Sequence, residues 1–127
     1  MIIYTDGACF GNPGPMGIGI VFVKNDKIIK KISRRIGRGT NNIAEYMAVL
    51  TALQEAKKME EKNIILRADS QLLIKQLNGE YRVKAKHLKK LHEAVLSFAE
   101  ELGVRFEWVE REKNKLADSL SKKAIEG

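Results

Sequence analysis

Four carboxylates, Asp6, Glu45, Asp69 and Asp118, carry the chemistry this chain could do. Asp6 follows the short apolar run Ile2-Ile3-Tyr4, and residues 7–15 behind it hold three glycines and two prolines. Glycine permits φ > 0 and close backbone approach, and proline fixes φ at about −65°, so a stiff turn would display Asp6 at a strand end. Asp69 ends a second apolar run, Ile64-Ile65-Leu66-Arg67-Ala68, and sites in α/β sheets form at the carboxyl ends of strands. Glu45 and Asp118 fall in or near the first turns of predicted helices. Each acid also has an ordinary reading. Asp6-Gly7 is a turn dipeptide, and Asn42 with Glu45 resembles a capping box. Asp69 could cap a helix, and Asp118 suits the positive end of a helix dipole. Brought together, four acids without basic partners would repel, and hard divalent cations would relieve the repulsion. Oxygen-only ligands favour Mg²⁺ or Mn²⁺ over Zn²⁺. Two such ions about 4 Å apart can activate a water and stabilise the leaving oxygen in phosphodiester cleavage.

The elements that position these acids follow from periodicity. Residues 2–4, 17–23 and 27–36 read as three strands with short connections, hence an antiparallel meander. Thr40-Asn41-Asn42 opens a helix reaching about Lys58, with Ile43, Met47, Leu50 and Leu53 as its apolar stripe. Small residues, Ala44, Ala48, Ala52 and Ala56, permit close packing on a sheet. Residues 63–68 read as a fourth strand buried on both faces, followed by a short helix that Asn78-Gly79 closes. A long helix carries Leu88, Leu91, Val95, Phe98 and Leu102. Residues 104–109 alternate as a fifth strand, with Trp108 read as packing, and Asn114 as the cap of a last helix. The predicted order is β-β-β-α-β-α-α-β-α: a five-stranded mixed sheet, three antiparallel strands then two parallel, flanked by helices.

A chain of 127 residues, 44% apolar, makes one domain over residues 1–127 with a proper core. It has no run of eighteen apolar residues, so no membrane span is expected. Its start lacks a signal pattern, and the single Cys9 suits a reducing compartment, so the protein reads as cytoplasmic. Lys plus Arg exceed Asp plus Glu by 23 to 16, a formal +7. That balance favours an anionic partner such as nucleic acid. Arg82, Lys84, Lys86, His87, Lys89 and Lys90 precede or flank the long helix, either as a solvated face or as a rail for phosphates.

The chain resembles ribonuclease H, type 1. The opening Thr5-Asp6-Gly7-Ala8-Cys9-Phe10-Gly11-Asn12-Pro13-Gly14-Pro15 is similar to that family's first motif. Thr40-Asn41-Asn42-Ile43-Ala44-Glu45-Tyr46-Met47-Ala48 is similar to the family's first helix, Asp69-Ser70-Gln71 to its third motif, and Asn114-Lys115-Leu116-Ala117-Asp118 to its fourth. The resemblance covers the full chain. It implies a ribonuclease H-like fold and an endonuclease that cuts the RNA strand of RNA–DNA hybrids, giving 5′-phosphate and 3′-hydroxyl ends. It implies two Mg²⁺ ions, with Mn²⁺ able to substitute. Asp6 would bridge both ions, Glu45 and Asp69 would complete the leaving-group site, and Asp118 the nucleophile-side site. It implies that Cys9, Asn12, Asn41 and Gln71 contact the hybrid, several at RNA 2′-hydroxyls, and that Thr40 helps hold a DNA-strand phosphate.

Two departures stand out. Many family members carry a histidine in the loop before the last motif. Here that loop is Glu110-Arg111-Glu112-Lys113, and Arg111 or Glu112 would have to take over part of its role. Some members insert an extra helix and basic loop between the positions of Leu77 and Leu88, where this chain has a short connector. The expected partner is an RNA–DNA hybrid engaged by a monomer, with cleavage of double-stranded RNA open as a side activity. The rival reading is a non-catalytic module that binds hybrid or double-stranded RNA on the same fold. Its weakness is that a pure binder has no need for acids facing phosphates.

Overall fold

The computed structural model describes residues 1–126; the expected domain end at Gly127 lies outside them. Strands β1 (Ile2–Cys9), β2 (Gly14–Lys24) and β3 (Lys27–Gly39) form the antiparallel meander. Helix α1 (Asn41–Lys58) leads to β4 (Ile64–Ala68), α2 (Gln71–Leu77) and α3 (Lys86–Leu102). Strand β5 (Val104–Trp108), a 3₁₀ turn (Arg111–Asn114) and α4 (Lys115–Glu126) complete the order. The sheet order is β3-β2-β1-β4-β5, with β4 parallel to both β1 and β5. The mixed sheet expected from the sequence is the one observed. Among the described residues no helix is long and apolar enough to cross a membrane.

Strand β1 does not stop before Asp6. It stays paired with β2 to its end, through Asp6↔Gly19, Gly7↔Ile18, Ala8↔Gly17 and Cys9↔Met16. Its parallel pairing with β4 ends at Tyr4↔Arg67. Beyond that point β1 is held on one side only, and Asp6 stands beside the gap that opens toward the end of β4.

The two faces of the sheet are covered differently, and both coverings depend on small residues. On one face α1 lies directly on the strands. Ala44, Ala48, Ala52 and Ala56 are fully buried, and a Cβ on Gly7 would sit 2.3 Å from the backbone of Ala44. Ile3, Ile18, Ile20, Phe22 and Leu66 fill this core, each side chain worth roughly 1.5–3 kcal/mol when fully buried. The predicted stripe of Ile43, Met47 and Leu50 is only partly buried, because the alanine face packs closest. On the other face α4 rests on β2. A Cβ on Gly19 would lie 2.1 Å from the Ala117 carbonyl, and one on Gly17 would lie 2.3 Å from the Ser121 carbonyl.

Strand β4 is therefore not buried on both faces. Ile64, Leu66 and Ala68 are buried, whereas Ile65 and Arg67 are half-buried. Helix α4 packs on β2, β1 and β3, which leaves room for Arg67 to donate to the Tyr4 hydroxyl at 3.0 Å and to Glu107 at 3.1 Å.

Candidate active site

The gap between β1 and β4 is the floor of a pocket of about 440 Å³. Asp6, Glu45, Asp69 and Asp118 all line it, so the structure brings the four sequence-selected carboxylates together. Asp6 projects from β1, Asp69 follows β4, Glu45 lies in the first turns of α1, and Asp118 in the first turn of α4. The ordinary readings of two acids fail on the caps observed. Thr40, not Asn42, caps α1, accepting from the Ile43 amide at 3.3 Å. Ser70, not Asp69, caps α2, accepting from the Leu73 amide at 3.2 Å.

The electrostatics rank the acids. Burial is the largest effect on Asp6, and the charges of Asp69, Asp118 and Glu45 add to it, pushing its carboxyl up to about 7 against the partial relief of a bond from Ser121. Burial likewise pushes Glu45 up to about 7, with Asp69 adding and a hydrogen bond with Ser70 opposing. Asp6 is thus influenced by all three other acids, while Glu45 responds to Asp69 and not to Asp118. A narrow recess of this pocket is lined by Asp6, Glu45 and Asp69, while Asp118 lines only its wider part, together with Lys122.

Protein groups hold each acid in place. The Ser121 hydroxyl donates to Asp6 Oδ2 at 2.5 Å, and it also lies 2.8 Å from the Asp118 carbonyl. Lys122 Nζ pairs with Asp118 Oδ2 at 3.1 Å. Asn114 is buried and does not cap α4. Its Nδ2 donates to the Thr5 carbonyl at 2.9 Å and lies 3.3 Å from Asp69 Oδ2, tying the ends of β1 and β4 together. Its Oδ1 is buried without a hydrogen-bond partner among the described residues. Trp108 is not core packing; it is 44% exposed, and its indole N–H donates to the Asp69 carbonyl at 3.1 Å. Sequence reasoning missed Ser70 and Ser121 as partners of the acids, and it gave Asn114 and Trp108 other roles.

Among the described residues, no three His, Cys, Asp or Glu side chains stand close enough to form a ready cage for one ion. The acids share a pocket, with oxygens turned toward Ser121, Ser70, Asn114 and Lys122. The donor set nevertheless fits hard divalent cations: all four acids offer oxygen, and burial with neighbouring negative charge pushes two of them up to about 7.

The remaining expected contacts divide. Cys9 and Asn41 line the pocket, as does Arg111. Glu112 is exposed and does not line it. Asn12 Oδ1 accepts from the Asn41 amide at 3.2 Å, which fixes the loop after β1 to the start of α1. Thr40 is occupied as the cap, and Gln71 is exposed at the start of α2 next to the pocket residue Ser70. The basic residues 82–90 are exposed around the start of α3 and outside this pocket.

A family model described as reverse transcriptase-like matches residues 4–124. A ribonuclease H of Syntrophus aciditrophicus is 34% identical over 98% of this chain and 79% of its own length. The chain belongs to the ribonuclease H family. This ribonuclease H chain superposes on the crystal structure of RNase H1 from Halobacterium salinarum with a TM-score of 0.95, at 36% identity, covering 98% of one chain and 96% of the other. It superposes on LC11-RNase H1, solved in complex with RNA/DNA hybrid, with a TM-score of 0.93 at 36% identity and the same coverage. A bifunctional protein of Mycobacterium tuberculosis is 34% identical over 99% of this chain, which spans only 35% of that relative.

Proposed function

We propose that this protein is an endonuclease that hydrolyses the RNA strand of RNA–DNA hybrids at the Asp6–Glu45–Asp69–Asp118 pocket. The observation that carries the reading is the convergence of four acids on one pocket, where Asp6, Glu45 and Asp69 also share a recess that Asp118 does not line. This arrangement supports two cation positions that share Asp6. Two Mg²⁺ ions, or Mn²⁺ in their place, would lower the pKa of an attacking water and neutralise the leaving oxygen. Asp6 would bridge, Glu45 and Asp69 would face the leaving 3′-oxygen, and Asp118 the attacking side, leaving a 5′-phosphate. Ser121 and Ser70 steady the central acids, and Asn114 fixes the spacing of β1 and β4.

Recognition of RNA rests on the wall of the pocket. Cys9 and Asn41 line it, and Asn12 and Gln71 flank it, where amide and backbone groups can pair with a 2′-hydroxyl. At the start of α1 the Asn41 and Ile43 amides are taken by Asn12 and Thr40, so a phosphate there would meet the Asn42 amide. Arg111 stands in the pocket wall where its guanidinium can meet a phosphate on the scissile strand. Arg111→Ala should lower kcat about tenfold or more, whereas Glu112→Ala should leave it within about twofold. Equal rates for both variants and wild type would remove Arg111 from the reaction.

The deciding experiment presents one end-labelled sequence as RNA–DNA, RNA–RNA and DNA–DNA duplexes with Mg²⁺, Mn²⁺ or EDTA. The expected result is metal-dependent cutting of the RNA strand in the hybrid, abolished in Asp69→Asn with hybrid binding retained. Comparable cutting of RNA–RNA would extend the substrate to double-stranded RNA. Hybrid bound but left intact under every metal condition would sink the catalytic reading.

A further inference from the structure

Nearly all of the net positive charge lies in one strand. Strand β3 carries Lys27, Lys30, Lys31, Arg34, Arg35 and Arg38 and no acid. Subtracting these six from 23 basic residues leaves 17 against 16 acids, so the rest of the chain is almost neutral. Strand β3 is also the edge of the sheet, with one side unpaired. Lys30 is engaged by Glu55, and Arg34 also acts on that acid. Lys27, Lys31, Arg35 and Arg38 are exposed and have no ion-pair partner among the described residues.

Register fixes where these charges point. Opposed residues of an antiparallel pair share a face. Lys31 opposes Val21, Ser33 opposes Gly19 and Arg35 opposes Gly17, while Gly19 itself opposes Asp6. Lys31 and Arg35 therefore share the sheet face of Asp6, on the far side of α4. The Ser33 hydroxyl donates to the Leu120 carbonyl at 2.6 Å, which seals α4 against this edge. Arg38 opposes Pro15 at the end of β3 nearest the pocket, where the thiol of the pocket residue Cys9 lies 3.1 Å from the Gly39 carbonyl. The row thus starts beside the pocket and runs away from it. From Lys31 to Arg38 it spans at most about 23 Å, at about 3.3 Å per residue.

We propose that Lys31 and Arg35 on the outer edge of β3 form a second phosphate contact, which holds nucleic-acid backbone flanking the segment cut in the pocket. The inference rests on the ribonuclease reading of that pocket. Nucleic acid is favoured over an acidic protein because the row is continuous with a pocket built for phosphodiesters. Lys31 and Arg35 are also four positions apart, about 13 Å, spanning a few phosphates of a single strand.

The test uses the full chain in EDTA, where hybrid is bound and left uncut, with RNA–DNA hybrids of about 8 and about 24 base pairs, below one turn and above two. The Lys31→Gln/Arg35→Gln variant should bind the long hybrid at least about tenfold more weakly at moderate salt. Its slope of log K against log salt should be smaller by about 2, at about 0.9 per lost phosphate contact. Binding of the short hybrid, and its Mg²⁺-dependent cleavage, should stay within about twofold of wild type. An unchanged slope on the long hybrid would overturn the proposal. So would unchanged binding accompanied by self-association of the variant, which would assign the charges to guarding an open strand edge. Failure of the wild type to cut either hybrid with Mg²⁺ would count against the pocket reading instead, while the salt slope would still report on the second contact.

Discussion

Ser121 has one hydroxyl proton and two acceptors, Asp6 Oδ2 at 2.5 Å and the Asp118 carbonyl at 2.8 Å. When Asp6 is ionised the proton belongs to its carboxylate, because a charged acceptor outcompetes a neutral one. The bond opposes the upward push of burial on Asp6. Removing it in Ser121→Ala should raise the Asp6 pKa further and leave the acid less ionised at pH 7. A hydrogen bond to a charged group is worth about 1.5–3 kcal/mol, so the Mg²⁺ concentration for half-maximal cleavage should rise about tenfold or more. Above about pH 9, where Asp6 is ionised in both proteins, the difference should shrink to a fewfold. A Mg²⁺ requirement that is unchanged at pH 7 would remove Ser121 from this role. The four acids themselves were legible in the sequence, because Asp69 follows a strand, Glu45 and Asp118 lie near helix starts and Asp6 ends an apolar run, although β1 itself continues to Cys9. Their partners were not. Ser121, Ser70 and Asn114 act across elements up to 115 positions apart, and no local pattern marks a hydroxyl that will meet a carboxylate from so far along the chain.

At the scale of elements, the pocket is set by how closely α4 can approach β2. Gly19 pairs with Asp6 in the ladder and lies under the backbone of α4. A Cβ there would meet the Ala117 carbonyl at 2.1 Å and the Ser121 amide nitrogen at 2.6 Å, both rigid backbone atoms. Gly19→Ala should therefore push α4 outward, costing about 1–3 kcal/mol or more of stability and drawing Ser121 and Asp118 away from Asp6. Gly37→Ala is the comparison: nothing lies within 4 Å of its added Cβ, but φ there is +81°. It should cost stability through backbone strain and leave cleavage of a short hybrid unchanged. Denaturation midpoints and single-turnover rates for the two variants would separate the cases, and equal losses of rate would refute the α4 argument. The order of elements was readable from periodicity; that β4 pairs in parallel with both β1 and β5 came from the structure. The lengths of β1 and β3 were not readable, because glycines that look like turn signals lie inside ladders. Gly7 is an in-strand position where a helix approaches, and Gly37 sits in an edge strand with two register shifts. Strand β4 looked fully buried for a related reason. Its sequence does not show that α4 covers β2 and leaves the lower face of β4 to Arg67.

Across the whole molecule, the acid cluster opposes folding unless something neutralises it. Asp6 and Glu45 have ordinary values of 3.8 and 4.5, and in the fold both stand at about 7. Between those limits the folded chain holds protons that the unfolded chain has released. Stability then falls with rising pH, because its slope follows protons bound in the unfolded state minus those bound in the folded state. The contribution is fully present below about pH 4 and is lost as pH passes through about 7. Both groups are partly exposed and share one site, so their joint effect is on the order of a few kcal/mol. In EDTA the melting temperature should decline steadily from pH 5 to pH 8. Divalent cations bind the ionised acids, so millimolar Mg²⁺ should raise the melting temperature by several degrees at pH 8 and by almost nothing at pH 5. Asp69→Asn removes one of the charges that raise both groups. It should flatten the decline in EDTA and blunt the rescue by Mg²⁺. A melting temperature in EDTA that stays level from pH 5 to 8, or a Mg²⁺ increment of equal size at both ends, would show that the four acids do not share one electrostatic site.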